Sequence, residues 1–122
     1  PSKNMTKEFD NFIKKRLNIL ANLNIDTKKV WFDPGIGFGK TLNQNLHLMR
    51  SLKKYIDRNI QILLGSSRKS WINFIDPSKT DERLGGSLAS VAHALSQGVN
   101  TFRIHDVQET NQMIKVLKVL KR

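Results

Sequence analysis

Residues 30–41 read Val30-Trp31-Phe32-Asp33-Pro34-Gly35-Ile36-Gly37-Phe38-Gly39-Lys40-Thr41. A short apolar run ends in an acid, and a loop with three glycines in five residues follows. A buried parallel strand reads as a near-continuous apolar run because both its faces are covered, and its C-terminal end can hand a carboxylate to a flexible polar loop. Two later runs end in the same way. Residues 60–64 close on Gly65-Ser66-Ser67-Arg68-Lys69-Ser70, and residues 101–105 end in Arg103-Ile104-His105 before Asp106. The strand ends at Asp33, Gly65 and His105 lie about 30 to 40 residues apart, the repeat of a parallel α/β fold.

Helical periodicity fills the gaps. Phe9, Phe12, Ile13, Leu17, Leu20 and Leu23 form one stripe over residues 5–23, and Leu42, Leu46, Met49, Leu52 and Ile56 form a second. Trp71, Ile72, Phe74 and Ile75 suggest one packed turn, which Asp76-Pro77 stops. A third long stripe runs through Leu84, Leu88, Val91, Ala92 and Leu95, with Asp81 expected as its N-cap and Gly98 as its C-terminal glycine. Asp106-Val107-Gln108-Glu109 has the form of a capping box and opens a last helix, whose apolar face is Met113, Ile114, Leu117 and Leu120.

The order is a helix followed by three strand–helix units. An open doubly wound sheet and a β/α barrel both fit that alternation. A barrel needs eight units, and three alone would leave strand edges unpaired. Pro1 opens the chain with no methionine before it. The expected fold is α/β, the C-terminal part of a TIM-type (β/α)8 barrel with about three parallel strands and four main helices. Residues 1–122 are expected to be a portion of a single domain.

The formal net charge of +11 invites a nucleic-acid reading. The 21 Lys and Arg are spread along the chain, however, with seven, five, four and five in residues 1–30, 31–60, 61–90 and 91–122. No nucleic-acid motif accompanies them, and small anionic substrates are the better use of a few well-placed cations. The absence of cysteine excludes disulfides and thiolate metal sites and fits a reducing, cytoplasmic setting. No apolar run approaches the roughly 18 residues of a membrane span.

Asp33 at a strand end can accept two parallel hydrogen bonds from the N–C–N edge of an aminopyrimidine-type ring, or it can cap its own Asp-Pro-Gly turn. Phe38, between two glycines, can lie against a flat ligand or plug the loop onto the core. Lys69 and Ser70 stand where a helical turn begins, a place that favours a carboxylate or phosphate. Strand alternation puts Arg103 and His105 on one face, with Phe102 and Ile104 on the other. Two cation-capable groups at a strand end suit a phosphate or diphosphate, or an ion pair with Asp106 or Asp33. His93 reads as structural and His47 as a surface residue.

Taken together, residues 33–40, Ser67-Arg68-Lys69-Ser70, Arg83-Leu84-Gly85-Gly86-Ser87 and Arg103-Ile104-His105-Asp106 resemble dihydropteroate synthase. The match spans roughly residues 30 to 107. The resemblance implies a β/α barrel that joins para-aminobenzoate to 6-hydroxymethyl-7,8-dihydropterin diphosphate, the folate-pathway step blocked by sulfonamides. It implies that Asp33 and Lys69 bind the pterin, that Phe38 and Ser70 meet the aminobenzoate, and that Arg103, Ile104 and His105 hold the diphosphate. No protein nucleophile is implied. Magnesium, which offsets the diphosphate charge in that family, would take its ligand from an N-terminal half that this chain lacks. A homodimer is implied for the full-length protein, and the fragment alone is expected to be inactive. The alternatives are a pterin-binding barrel of the methyltransferase type, which has no use for a diphosphate clamp, and a non-catalytic remnant.

Overall fold

The structure is a computed structural model that describes residues 5–121. Helix α1, Met5–Asn22, leads the chain. Phe9 and Ile13 on its apolar stripe are buried, while Phe12 and Leu23 stay exposed. A 3-10 turn at Thr27–Lys29, capped by Asp26, then delivers the chain to Val30.

Three parallel stretches follow one another in space. Phe32 forms a single bridge with Ile62, its N–H donating to the Gln61 carbonyl at 2.8 Å and its carbonyl accepting from Leu63 at 3.0 Å. Strand β1, Leu63–Leu64, pairs in parallel with β2, Thr101–Phe102. The expected strands over 30–32, 60–64 and 101–105 are therefore present as neighbours in chain order, with shorter ladders. At one edge, Trp31 is exposed and only Phe32 engages its neighbour.

Between Phe32 and β1 runs a helix in two pieces, α2 at Leu42–Arg50 and α3 at Leu52–Asp57. The stripe predicted one continuous helix. Ser51 breaks it: its hydroxyl donates back to the His47 carbonyl at 2.7 Å, a local bond that competes with the helical ladder. Thr41 and Gln44 form a reciprocal capping box that starts α2, worth about 1 kcal/mol. After β1 comes the short α4, Ser70–Ile75, of which only Trp71 and Ile72 among the apolar residues are buried; Phe74 and Ile75 face outward.

Helix α5, Leu84–Ser96, begins later than expected. Asp81 does not cap it. A 3-10 turn at Thr80–Glu82 intervenes, in which Glu82 accepts from the Lys79 N–H, and the first carbonyl of α5 to be used is that of Arg83. Gly98 does close the helix, at φ 98, a left-handed conformation that suits glycine. The last helix, α6, is Val107–Leu120. Asp106 sits at its N-cap position without a side-chain cap bond, so the expected capping box is absent.

The core lies where the helices meet the strands. Leu52, Tyr55, Ile36, Leu48, Ile62, Leu64, Val91 and Val99 are almost wholly buried. Each such aliphatic side chain contributes about 1.5–3 kcal/mol by leaving water. Phe9 packs edge-on against Tyr55 at 4.8 Å between centroids, and the Tyr55 hydroxyl donates to the Thr6 carbonyl. His93 is structural, as expected, with Nε2 2.8 Å from the Met49 carbonyl oxygen and 2.9 Å from the Gln97 amide. His47 is exposed, and its ring reaches the Thr6 hydroxyl at 3.4 Å. No helix among the described residues is long and apolar enough to cross a membrane.

Candidate functional site

The C-terminal ends of the three stretches open onto one rim. On the first, Asp33 turns the chain by accepting from the Gly35 N–H through Oδ1 at 2.8 Å. Its second oxygen, Oδ2, lies 3.6 Å from Arg103 Nη1. The carboxylate thus caps its turn with one oxygen and faces the rim with the other. Both of the roles open from the sequence are compatible with this geometry.

The glycine loop is held from beneath. Gly37 N–H donates to Oδ1 of buried Asn45 at 2.9 Å, and Lys40 Nζ reaches the carbonyls of Gly35 and Phe38. Gly37 has φ 88, and a Cβ there would stand 2.8 Å from Lys69 Cδ. Backbone and neighbour both exclude a side chain at this point. Phe38 is 64% exposed, and the ammonium of Lys69 sits over its ring at 4.4 Å from the centroid. At an exposed ring such a contact is worth about 0.5–1 kcal/mol.

Lys69 reaches across from the loop after β1, its Nζ donating to the Ile36 carbonyl at 2.6 Å. Burial lowers its pKa from the ordinary lysine value, and the Asp33 carboxylate opposes that shift by favouring the charged form. Arg103 and Lys69 converge over Gly65: a Cβ built on Gly65 would lie 3.5 Å from Arg103 Nη1 and 3.7 Å from Lys69 Nζ. Ser70 is exposed at the first residue of α4.

On the third stretch the alternation expected from the sequence holds. Arg103 and His105 are exposed, while Phe102 packs onto the core and Ile104 is half-buried. The Arg103 N–H donates to the Leu64 carbonyl at 2.9 Å, which registers the strand end against β1. His105 Nδ1 is 3.0 Å from the Ser67 hydroxyl. The rim thus gathers Asp33, Lys69 and Arg103, with Phe38 beneath Lys69 and His105 tied to the neighbouring loop.

Several pairings at this rim carry no signal in the sequence, although their residues lie in the motifs quoted above. Arg68 grips Asp106 with Nε and Nη2, at 3.1 and 2.5 Å. This charge-assisted pairing explains why Asp106 does not cap α6: two hydrogen bonds to a guanidinium outcompete one to a helical N–H. The pairing also holds the Asp106 carboxyl below the usual carboxylate range. Arg83 and Ser87 support the Arg68 backbone, and Ser66 shares a 2.7 Å hydrogen bond with Ser90 across the core. Asp106 lay in a plausible capping box, a local pattern that masked its distant partner.

Among the described residues no three His, Asp or Glu side chains converge as metal ligands. The rim carboxylate, Asp33, stands among cations and already accepts from Gly35. These donors do not fit a magnesium ion, which takes oxygen ligands in near-octahedral array.

The comparisons bear on the family and the fold. The family described as pterin binding enzyme matches residues 1–105. A dihydropteroate synthase of Clostridium beijerinckii is 34% identical over 121 residues, which are 98% of this chain and 45% of the relative. That of Escherichia coli K12 is 40% identical over 94 residues, 77% of this chain and 33% of its own length. The solved dihydropteroate synthase from Xanthomonas albilineans in complex with 7,8-dihydropteroate is 27% identical. It superimposes with a TM-score of 0.92 over 99% of this chain and 46% of that one. The chain spans less than half the length of each of these proteins. It belongs to the family of pterin-binding enzymes, and its three strand–helix units form part of that family's β/α barrel.

Proposed function

We propose that this chain, residues 1–122, is the C-terminal portion of a single dihydropteroate synthase domain. The full protein would condense para-aminobenzoate with 6-hydroxymethyl-7,8-dihydropterin diphosphate to give 7,8-dihydropteroate and diphosphate. The observation that carries the reading is the convergence of Asp33, Lys69 and Arg103 at adjacent strand ends, with Asp33 Oδ2 3.6 Å from Arg103. One carboxylate and two cations on one rim suit a ring with an N–C–N edge that bears an anionic leaving group.

In this reading Asp33 accepts from the pterin edge and Lys69 donates to its carbonyl side. Phe38 and Ser70 meet the aminobenzoate, and Arg103 and His105, with the Ile104 backbone between them, hold the diphosphate. The carbon–oxygen bond to diphosphate breaks, and charge builds on the leaving oxygens beside Arg103 and His105. The electron-rich dihydropterin spreads the positive charge left on the methylene carbon. The aminobenzoate nitrogen attacks that carbon and gives up a proton. No side chain becomes covalently attached, so no activated nucleophile is needed.

The proposal puts the magnesium ligands, and the remaining pterin contacts, in residues outside this chain. It makes the full-length protein a cytoplasmic homodimer of the kind that sulfonamides target; the exposed Val116, Val119 and Leu120 of α6 are the kind of apolar surface a second subunit covers. The test is direct. The full-length protein supplied with both substrates and magnesium should release diphosphate and form dihydropteroate, and residues 1–122 alone should form none. Diphosphate retention by the full-length protein would refute the reaction. Turnover by the isolated chain would refute the claim that the other half of the site lies elsewhere.

A further inference from the structure

Two rungs join the loop after β1 to the loop after β2. On the inner rung the His105 N–H donates to Ser67 Oγ at 3.4 Å, and the ring Nδ1 stands 3.0 Å from the same oxygen. A serine hydroxyl has one proton and two lone pairs, so Oγ engages Nδ1 while it also accepts from the backbone. Among the described residues Nε2 has no hydrogen-bond partner, and the His105 side chain is exposed at the rim.

The outer rung is one residue further along both loops. Arg68 holds both oxygens of Asp106, the residue that follows His105. Arg68 adopts φ 55, a left-handed conformation that is costly for a residue with a Cβ. Neighbours enforce it: the Arg68 N–H donates to Ser87 Oγ at 2.8 Å, and its carbonyl accepts from Arg83 Nη1 at 2.9 Å. Arg83 is fixed in turn by the Ser78 carbonyl, and Ser87 by the carbonyl of Arg83. A chain of contacts from the start of α5 thus aims Arg68 at Asp106. The Arg68 guanidinium gains basicity from this partner.

We propose that the Arg68–Asp106 pair is a positioning device that fixes the backbone beside His105, so that Ser67 holds Nδ1 and Nε2 is presented to the leaving diphosphate. Neither Arg68 nor Asp106 is assigned a substrate contact; they act through His105. The inference rests on the functional reading above, and it adds the element that orients one arm of the diphosphate clamp.

The experiment compares Asp106→Asn, Arg68→Gln and the double variant in the full-length protein. Each should raise KM for the pterin diphosphate about tenfold while KM for para-aminobenzoate stays within about twofold, since only one substrate carries the leaving group. The double variant should lose no more than a single one, because both remove the same contact. A purely structural role predicts a lowered Tm with equal changes in both KM values, and that result overturns the inference, as do multiplied losses in the double variant. Where Asp106→Asn does not fold, Arg68→Lys keeps the charge and loses the two-pronged grip; it should show the same split in smaller measure, and no split overturns the inference. A wild-type protein that forms no dihydropteroate refutes the functional reading instead. The pair is then judged on the ring 15N signals of His105, which should shift in Asp106→Asn as the Ser67 contact to Nδ1 loosens, and unchanged signals overturn it.

Discussion

The two sides of the rim are built differently. The glycine loop after Phe32 hangs from a single bridge to Ile62, and its prominent side chain, Phe38, stands mostly in solvent. Its contacts are a buried Asn45 beneath Gly37 and two lysines that reach backbone carbonyls. The loops after β1 and β2 are pinned to each other by Ser67–His105 and Arg68–Asp106, and pinned to α5 through Ser66–Ser90 and Arg68–Ser87. The pinned side carries the groups proposed for the diphosphate, where developing charge rewards fixed donors. The looser side carries Asp33 and Phe38, two of the groups proposed for flat rings, which must enter and leave; Lys69 and Ser70 meet those rings from the pinned side.

The largest effect that would sharpen this contrast lies at Arg103. Arg103→Ala should cut kcat/KM for the pterin diphosphate about 30-fold or more in the full-length protein, with a much smaller change in KM for para-aminobenzoate. Steady-state kinetics with each substrate varied decides it, and equal losses count against the clamp. On the looser side, Gly37→Ala forces a Cβ into a left-handed site against Lys69. It should destabilise the protein by about 1–2 kcal/mol, read as a shift of the denaturation midpoint without a change in m. No shift would mean that the loop adapts freely.

A smaller effect is tied to pH. Arg68 holds the Asp106 carboxyl below its ordinary range, so folding gains stability from this pair wherever the unfolded carboxyl is ionised. That gain is full above about pH 4, and it is lost as pH falls through the lower folded value. Tm measured from pH 6 downward should therefore fall less steeply in Asp106→Asn than in the native protein; parallel acid limbs would show that the pair does not couple to folding. The smallest stability change is expected at Phe38. With its ring exposed and only the Lys69 contact to lose, Phe38→Ala should alter stability by no more than about 1 kcal/mol while KM for para-aminobenzoate rises. A large loss of stability would show that the ring serves the core.

Much of the fold was legible because its signals are local. The apolar runs, the glycines that follow the first two, and the 3.6-residue stripes each lie within a short window, and the strand ends at Asp33, Gly65 and His105 emerged as neighbours. The strand lengths were less legible, since a ladder exists only where a partner strand lies alongside. Ser51 illustrates a local competition hidden in an otherwise continuous stripe, in which a hydroxyl took the carbonyl that a helix needed. Asp81 and Asp106 both looked like side-chain caps; Asp81 lies outside α5, and Asp106 holds the cap position of α6 without a side-chain cap bond.

Among the site residues, Asp33, Phe38, Lys69, Ser70, Arg103 and His105 were nominated from strand-end position and from resemblance. The chain itself therefore set which chemical groups reach the rim: strand alternation and glycine placement depend only on neighbours in sequence. Tertiary structure decided how those groups are held. Arg68 finds Asp106 across 38 residues of chain, Asn45 finds Gly37, and Ser90 finds Ser66. A side chain chooses among competing partners by distance and charge, and those distances exist only once the strands have brought their ends together.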